Sequence, residues 1–262
     1  MELEIVTMTQ MILLVCPMIF LASFIDSIAG GGGLISLPVY MMTGLPIHTA
    51  FGCNKFSASM GSIISAVRYQ KSGKIKWKPA TVSAVFSLCG ASIGAQINLR
   101  LDPLFLKKLV LVILPIAAVV VLFGNHHRQN MRLLEGRRLY LGCGMAGLLI
   151  GLYDGVIGPG TGTFMILAYT SFIGYDYVTA SGNAKVANLA SNLASLIVYL
   201  LHGNVLFLLA VPAGICGILG GWIGSSLAIS KGTKFIKVIV VLVLIGVFGK
   251  LIWDVVSAAG VV

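Results

Sequence analysis

The sequence predicts an all-α polytopic membrane protein, built from two inverted repeats of about five membrane segments each and containing glycine-rich discontinuous or re-entrant helices. The first observation is composition, since 58% of the 262 residues are hydrophobic and only 10% are charged, against about 25% charged residues in a soluble chain. The mean hydropathy is +0.99. Lipid must cover this much apolar surface. The other two observations are a series of apolar runs and a similarity between the two halves of the chain.

The apolar runs define ten candidate segments, five in each half of the chain. In the first half they lie at about 9–28, 34–43, 47–67, 79–98 and 105–123. In the second half they lie at about 139–157, 162–173, 178–201, 205–228 and 236–256. A helix needs about 20 apolar residues to cross a bilayer, so the segments at 34–43 and 162–173 are too short to cross.

Each short segment directly follows a glycine-rich break. The breaks are residues 30–33 (Gly-Gly-Gly-Gly) and residues 158–162 (Gly-Pro-Gly-Thr-Gly). Interrupted segments in matching places of two halves are typical of transporters with inverted repeats, which bind substrate between the repeats.

An internal alignment supports a duplication. With an offset of 128 residues, Asp26 matches Asp154. After a shift of two residues, the offset becomes 130 and Lys55 matches Lys185. Several glycines match in the same register, so the predicted repeats are residues 1–124 and 139–262.

Loop charge orients the two repeats. The loop at 68–78 carries five Lys and Arg residues, whereas its partner at 201–204 carries none. The positive-inside tendency of membrane proteins places the basic loop in the cytoplasm. Because five is an odd number of segments, the second copy is inverted relative to the first. The basic linker at 125–138 is then expected to be cytoplasmic and both termini to lie outside. The two repeats together form one integral membrane domain.

The positive-inside tendency also explains the net charge of +10, because the basic residues lie in short loops between the segments. Membrane lipid is therefore an expected partner, and nucleic acid is not. The five cysteines are isolated within apolar stretches, which indicates neither a disulfide framework nor a metal site. The first apolar run lacks a preceding basic region, so we expect it to be retained as a span.

The helices that begin after the glycine breaks form a candidate anion site. Irregular backbone at membrane depth must be buried in protein or line a water-filled cavity, and a helix N-terminus presents N–H groups and a positive dipole end. Two inverted copies would bring two such ends to one central space. The alternative is that the glycines only permit close helix packing. The candidate binding residues in the breaks are Gly31, Gly32, Gly33, Gly160, Thr161 and Gly162.

Lys55 and Lys185 are the most informative single residues. Burying an ammonium at membrane depth costs at least about 2.5 kcal/mol, so each lysine should face an aqueous path or a partner. Two lysines at one cavity would favour an anionic substrate, unless each lies near a segment end and extends to the interface. Asp26 and Asp154 are candidates either for structural pairing with the lysines or for carrying a coupling proton.

Four asparagines accompany the lysines in unusually polar segments. Asn54 precedes Lys55, and Asn183, Asn188 and Asn192 lie around Lys185. Asn188 and Asn192 are four residues apart and share a helix face. Such amides could bind an oxyanion, or they could be interhelical contacts worth about 1 kcal/mol each.

The sequence does not indicate an enzyme. It contains no nucleophile elbow, HExxH motif or paired-carboxylate arrangement. We therefore expect no catalytic residue, no metal and no cofactor.

These motifs resemble the TauE/SafE family of bacterial membrane transporters. In the first half they are 26–33 with Pro38, and 50–55; in the second half they are 154–162 and 180–185. The likeness spans roughly residues 15–255, and the Asn-Lys pair at 54–55 resembles a poorly characterised branch of the family. The resemblance implies a multi-pass protein of the bacterial inner membrane that transports sulfite, sulfoacetate or related sulfonates, often outward.

Two function classes follow. The first is a secondary transporter that exports a small sulfur-containing or organic anion by alternating access. The second is a passive channel or pore for sulfide or a similar anion. A membrane enzyme or assembly factor is disfavoured by the missing catalytic residues, and homodimerisation is left open.

Overall fold

The computed structural model describes residues 2–123 and 133–258, with the side chains of residues 8–114, 116 and 133–232. In this part of the chain the helices are α1 (Glu2–Ala29), α2 (Gly33–Met42), α3 (Ile47–Lys71), α4 (Trp77–Arg100), α5 (Pro103–Phe123), α6 (Gly136–Val156), α7 (Thr161–Ala168), α8 (Tyr177–Leu201) and α9 (Phe207–Ala258). A π-helical turn, Tyr169–Ile173, continues α7.

All ten predicted segments are helical. The predicted break between 228 and 236 is a sharp kink in α9 at Gly232, which has φ 69° and ψ −160°. α6 begins at Gly136, so the last residues of the predicted linker at 125–138 are helical. Most of the linker, like the C-terminal residues 259–262, lies outside the described residues.

The lengths of the helices fit a multi-pass membrane protein. Among the described residues, five helices are long and apolar enough to cross a bilayer, namely Met8–Ala29, Trp77–Arg100, Gly136–Val156, Tyr177–Leu201 and Phe207–Gly232. α3 is as long but less apolar, because its buried side chains include an asparagine, a lysine and several serines. Large apolar side chains on the outer faces of α4 and α6, such as Ile93 and Leu149, are exposed, as expected for surfaces that contact lipid.

Glycines set the closest helix contacts. A Cβ atom added to Gly90 of α4 would lie 2.3 Å from the carbonyl oxygen of Leu148 in α6. A Cβ atom added to Gly220 of α9 would lie 2.2 Å from the carbonyl oxygen of Phe20 in α1. Any larger residue would push these backbones apart, so the glycines permit the two helix pairs to pack in direct backbone contact.

The contacts also give the relative directions of the helices. α3 and α9 run the same way, because Ser57 faces Gly217 and Gly61 faces Gly221. α1 also runs parallel to α9, and α4 runs parallel to α6 and α8, because the numbers of the contacting residues rise together in each pair. α3 and α8 run in opposite directions, because the Phe51 ring stacks on Tyr199 while Lys55 contacts Asn192. Six of the seven long helices therefore form two groups of opposite direction, α1, α3 and α9 against α4, α6 and α8.

The N-terminus of α8 has an aspartate cap that the sequence reading did not identify. The Asp176 carboxylate accepts hydrogen bonds from the backbone N–H groups of Val178 and Thr179, both at 3.1 Å. Partial burial opposes ionisation of Asp176, but the hydrogen bonds from Thr179 and Val178 and the nearby Lys74 outweigh it and lower the pKa of Asp176 below its usual value.

We expect Asp176→Ala to reduce the free energy of unfolding by about 1 kcal/mol, the usual contribution of an N-cap. The ionised cap stabilises the fold above the unfolded-state pKa of about 3.9, and this contribution is lost as pH falls through the lowered folded-state value. The difference between wild type and variant in detergent should therefore shrink in acid. Asp176→Asn is the control, since its amide still caps the helix and does not titrate.

Candidate functional site

A central cavity lies where the two glycine breaks meet. Its volume is about 40 Å³, which is room for a few water molecules or one small anion. Ten of the predicted site residues line it, namely Asp26, Gly32, Gly33, Asn54, Lys55, Asp154, Thr161, Gly162, Asn188 and Asn192. Residues more than 100 positions apart in the chain thus share one wall.

The two breaks are in direct backbone contact. The backbone N–H of Thr163 donates to the carbonyl oxygen of Gly30 at 3.2 Å, and the Thr163 hydroxyl donates to the carbonyl oxygen of Ala29 at 2.7 Å. Gly30 has φ +79°, and a Cβ atom there would lie 2.2 Å from the carbonyl carbon of Gly162. Helices α2 and α7 both begin at the cavity wall as a result, so two positive helix ends adjoin one space.

Two ion pairs cross between the halves of the chain. Lys55 of α3 pairs with Asp154 of α6 at 2.8 Å, and Lys185 of α8 pairs with Asp26 of α1 at 2.5 Å. Both lysines are buried. The sequence left two roles open for Asp26 and Asp154, which were pairing with the lysines and carrying a coupling proton. Both carboxylates are paired with lysines in the structure, and each pair joins a lysine to the carboxylate of the opposite half.

The two ion pairs have different surroundings. The Lys55 ammonium also donates to the main-chain carbonyl of Asp154 at 2.8 Å and to the Asn192 side chain at 3.2 Å. Asp26 instead accepts a hydrogen bond from the backbone N–H of Gly32 at 3.3 Å. The Asp154 side chain is 3% exposed, whereas that of Asp26 is 19% exposed. Asp26 is therefore the more accessible of the two carboxylates.

Amide groups complete the polar wall. Asn192 donates to Asn188 at 3.2 Å, which extends the hydrogen-bond chain that begins at Lys55. The side-chain oxygen of Asn54 is buried at the cavity and has no hydrogen-bond partner within the described part of the chain. Rotation of this amide by half a turn would present its NH2 group, which is a donor for an oxyanion.

Four predicted site residues lie outside the cavity lining. Lys185 lies directly behind Asp26, and Gly31 and Gly160 belong to the breaks but do not line the space. Asn183 accepts a hydrogen bond from the backbone of Lys76 at 3.2 Å and donates to Thr179. Because residues two apart on a helix point to nearly opposite sides, Asn183 and Lys185 cannot face the same cavity.

The sequence reading missed part of the wall on α1 and α2. Ile19, Ala22 and Ser23 of α1 and Ser36 of α2 line the cavity. The three α1 residues precede Asp26 by seven, four and three positions, which is the spacing of one helix face. That spacing from Asp26 is the signal that could have identified them.

Comparison with known proteins gives a consistent result. Residues 15–251 match the family model described as "Sulfite exporter TauE/SafE". The chain is 32% identical to a "Probable membrane transporter protein" of Haemophilus influenzae over 90% of this chain and 92% of that protein. It is 34% identical to a "Probable membrane transporter protein ORF9" of a Sinorhizobium species, over 90% of each chain. It is 30% identical to "Probable membrane transporter protein YfcA" of Escherichia coli, over 89% of this chain and 87% of that protein. No solved structure matches the chain significantly.

Proposed function

The chain belongs to the TauE/SafE family of membrane transporters, and from this premise we propose that it is a secondary transporter that exports a small sulfur-containing or organic anion by alternating access. Sulfite, sulfoacetate and other sulfonates are the proposed substrates. The central cavity is the proposed binding site, and no covalent reaction accompanies transport.

The observation that carries this proposal is the pair of crossed ion pairs at the cavity. Each pair joins a lysine of one half to a carboxylate of the other half. A movement of one half against the other would change both pairs and the cavity between them. A site held by both halves is what alternating access needs, because the same residues must open first to one side and then to the other.

We further propose that the two halves are inverted repeats. The counterparts under the sequence alignment are α1 and α6, α3 and α8, and α4 and α9. The members of each counterpart pair fall in opposite direction groups, and an inverted duplication would produce this relation. The glycine contacts support the same relation, since Gly90 and Leu148 correspond to Gly220 and Phe20 after exchange of the halves.

Cysteine labelling tests the inversion. In a background without the five native cysteines, His202→Cys should react with a membrane-impermeant maleimide in intact cells, because its loop is proposed to face outside. Lys71→Cys, at the end of α3, should react only after permeabilisation. Both positions are exposed, so accessibility within the fold is matched. Labelling of both from one side would contradict the inverted arrangement.

Ligand binding and transport test the function. A substrate that binds only the folded state stabilises it by about 2.7 kcal/mol at a concentration 100 times its Kd. We expect sulfite, thiosulfate or a sulfonate to raise the melting temperature of the purified protein, with chloride at equal ionic strength as the control. The binding anion should then accumulate against its gradient in proteoliposomes under an imposed proton gradient. Transport only down the gradient would favour the passive channel, and no stabilisation by any anion would contradict both functions.

A further inference from the structure

The charges around the cavity cancel. Lys55 and Lys185 carry two positive charges, and Asp26 and Asp154 carry two negative charges within direct contact of them. An anion that enters this site meets two intact ion pairs rather than free ammonium groups. Burial of an unpaired charge is strongly unfavourable at membrane depth, so anion binding requires one added positive charge or the loss of one negative charge.

One of the two pairs is much better suited to lose its negative charge. Asp26 is 19% exposed, whereas Asp154 is 3% exposed. The Lys55 ammonium has two further acceptors, the Asp154 carbonyl and the Asn192 side chain. Protonation of Asp26 can occur from the cavity side, and it leaves the Lys55 pair undisturbed.

The difference between the surroundings of the two ion pairs is also present in the sequence. The residue that corresponds to Asn192 in the first half is Ser62, and the residue that corresponds to Asn188 is Ala58. A serine and an alanine cannot replace the chain of two amides that ends on the Lys55 ammonium. The Lys185 pair thus lacks the supporting amides whichever side of the membrane the cavity faces.

We propose that Asp26 is a proton-binding site and that the protein carries its anion together with one proton on this carboxylate. This inference rests on the proposed anion transport. Protonation of Asp26 leaves the positive charge of Lys185 uncompensated directly behind the cavity wall, and the anion restores neutrality. Release of the anion returns the proton from the same carboxyl group. One proton per monovalent anion makes the movement electroneutral, so the sum of the anion and proton concentration gradients sets the direction of net movement.

The groups that face Asp26 from the neighbouring helices are consistent with this role. They are Lys185 on α8, Lys55 on α3 and Asp154 on α6 across the cavity, and Tyr69 on α3, whose hydroxyl donates to the Ser27 carbonyl at 3.0 Å. α2 and α7 contain no charged side chain. Among these groups, Asp26 is the carboxylate with solvent access, so it is the acceptor for the proton.

Ethanesulfonate is a suitable probe for binding, because it keeps one negative charge across the tested range of about pH 5 to about pH 8. In wild type, its Kd should rise about tenfold per pH unit where Asp26 loses its proton. Binding in weakly buffered solution should take up about one proton per anion. Asp26→Asn should bind with a Kd independent of pH and with no proton uptake. Asp102→Asn, at an exposed carboxylate that caps α5, is the control and should behave as wild type.

Infrared spectroscopy tests the same site without any anion. Acidification should produce a protonated-carboxyl band that is present in wild type and Asp102→Asn and absent in Asp26→Asn. Proton uptake or the band persisting in Asp26→Asn would overturn the inference. Binding that is independent of pH in wild type overturns the inference but leaves anion transport intact, whereas the absence of binding by every anion of the panel overturns both.

Discussion

Lys55→Met is expected to lower the free energy of unfolding by about 3–5 kcal/mol and to abolish transport. The Asp154 carboxylate, 3% exposed, would lose its counter-charge. Methionine has a similar length but provides neither charge nor hydrogen bond, so the loss reports on the ion pair rather than on packing. Chemical unfolding in detergent and accumulation of the anion in proteoliposomes are the two measurements.

Three further variants separate charge pairing from anion binding. Lys55→Met combined with Asp154→Asn removes both charges and should recover most of the lost stability without recovering transport. Lys71→Met, at an exposed position on the same helix, should change stability by less than about 1 kcal/mol. Lys185→Ala should weaken anion binding by about ten- to a hundredfold, because charge-assisted interactions are worth roughly 1.5–3 kcal/mol. Wild-type affinity in both lysine variants would remove these residues from the site.

Gly30→Ala is expected to be strongly destabilising, with a loss of more than about 4 kcal/mol. Its φ of +79° disfavours any L side chain, and the new Cβ atom would lie 2.2 Å from Gly162 and 2.3 Å from the backbone nitrogen of Thr163. These neighbours are backbone atoms and cannot move independently of α7. We therefore expect the variant to separate the two glycine breaks and to lose both folded yield and transport.

Gly44→Ala is the matched control for Gly30→Ala. Gly44 has φ +77° and no atom within 4 Å of the added Cβ atom. It reports the backbone strain alone, which is about 1–2 kcal/mol, so its folded yield and transport should stay close to wild type. Equal losses in the two variants would show that contact between the breaks does not matter. Melting temperature and transport in membranes of matched protein content decide between the two results.

The segments and the breaks could be predicted from the sequence because they depend on local properties. Apolar length determines whether a helix suits the bilayer, and the described helices match the predicted runs, including the kink at Gly232. Gly30 and Gly158 both have positive φ, a conformation that the glycine runs made available. The sequence pattern identified the asparagines as a group of candidate binding residues but did not show which of them line the cavity. Helix periodicity already separates Asn183 from Lys185, whereas Asn188 and Asn192 were correctly expected to share a face.

By itself the sequence determined that this is a polytopic helical membrane protein, that two short helices follow glycine breaks, and that two lysines and two aspartates occur within apolar segments. Each of these properties follows from the composition or spacing of residues close together in the chain. Only the tertiary structure decided that each lysine pairs with the aspartate of the opposite half, and that α1 supplies part of the cavity wall. Charge specifies that a buried lysine needs a carboxylate, but the choice of carboxylate depends on which helices become neighbours. That choice is made by the close backbone contacts at glycines such as Gly90 and Gly220.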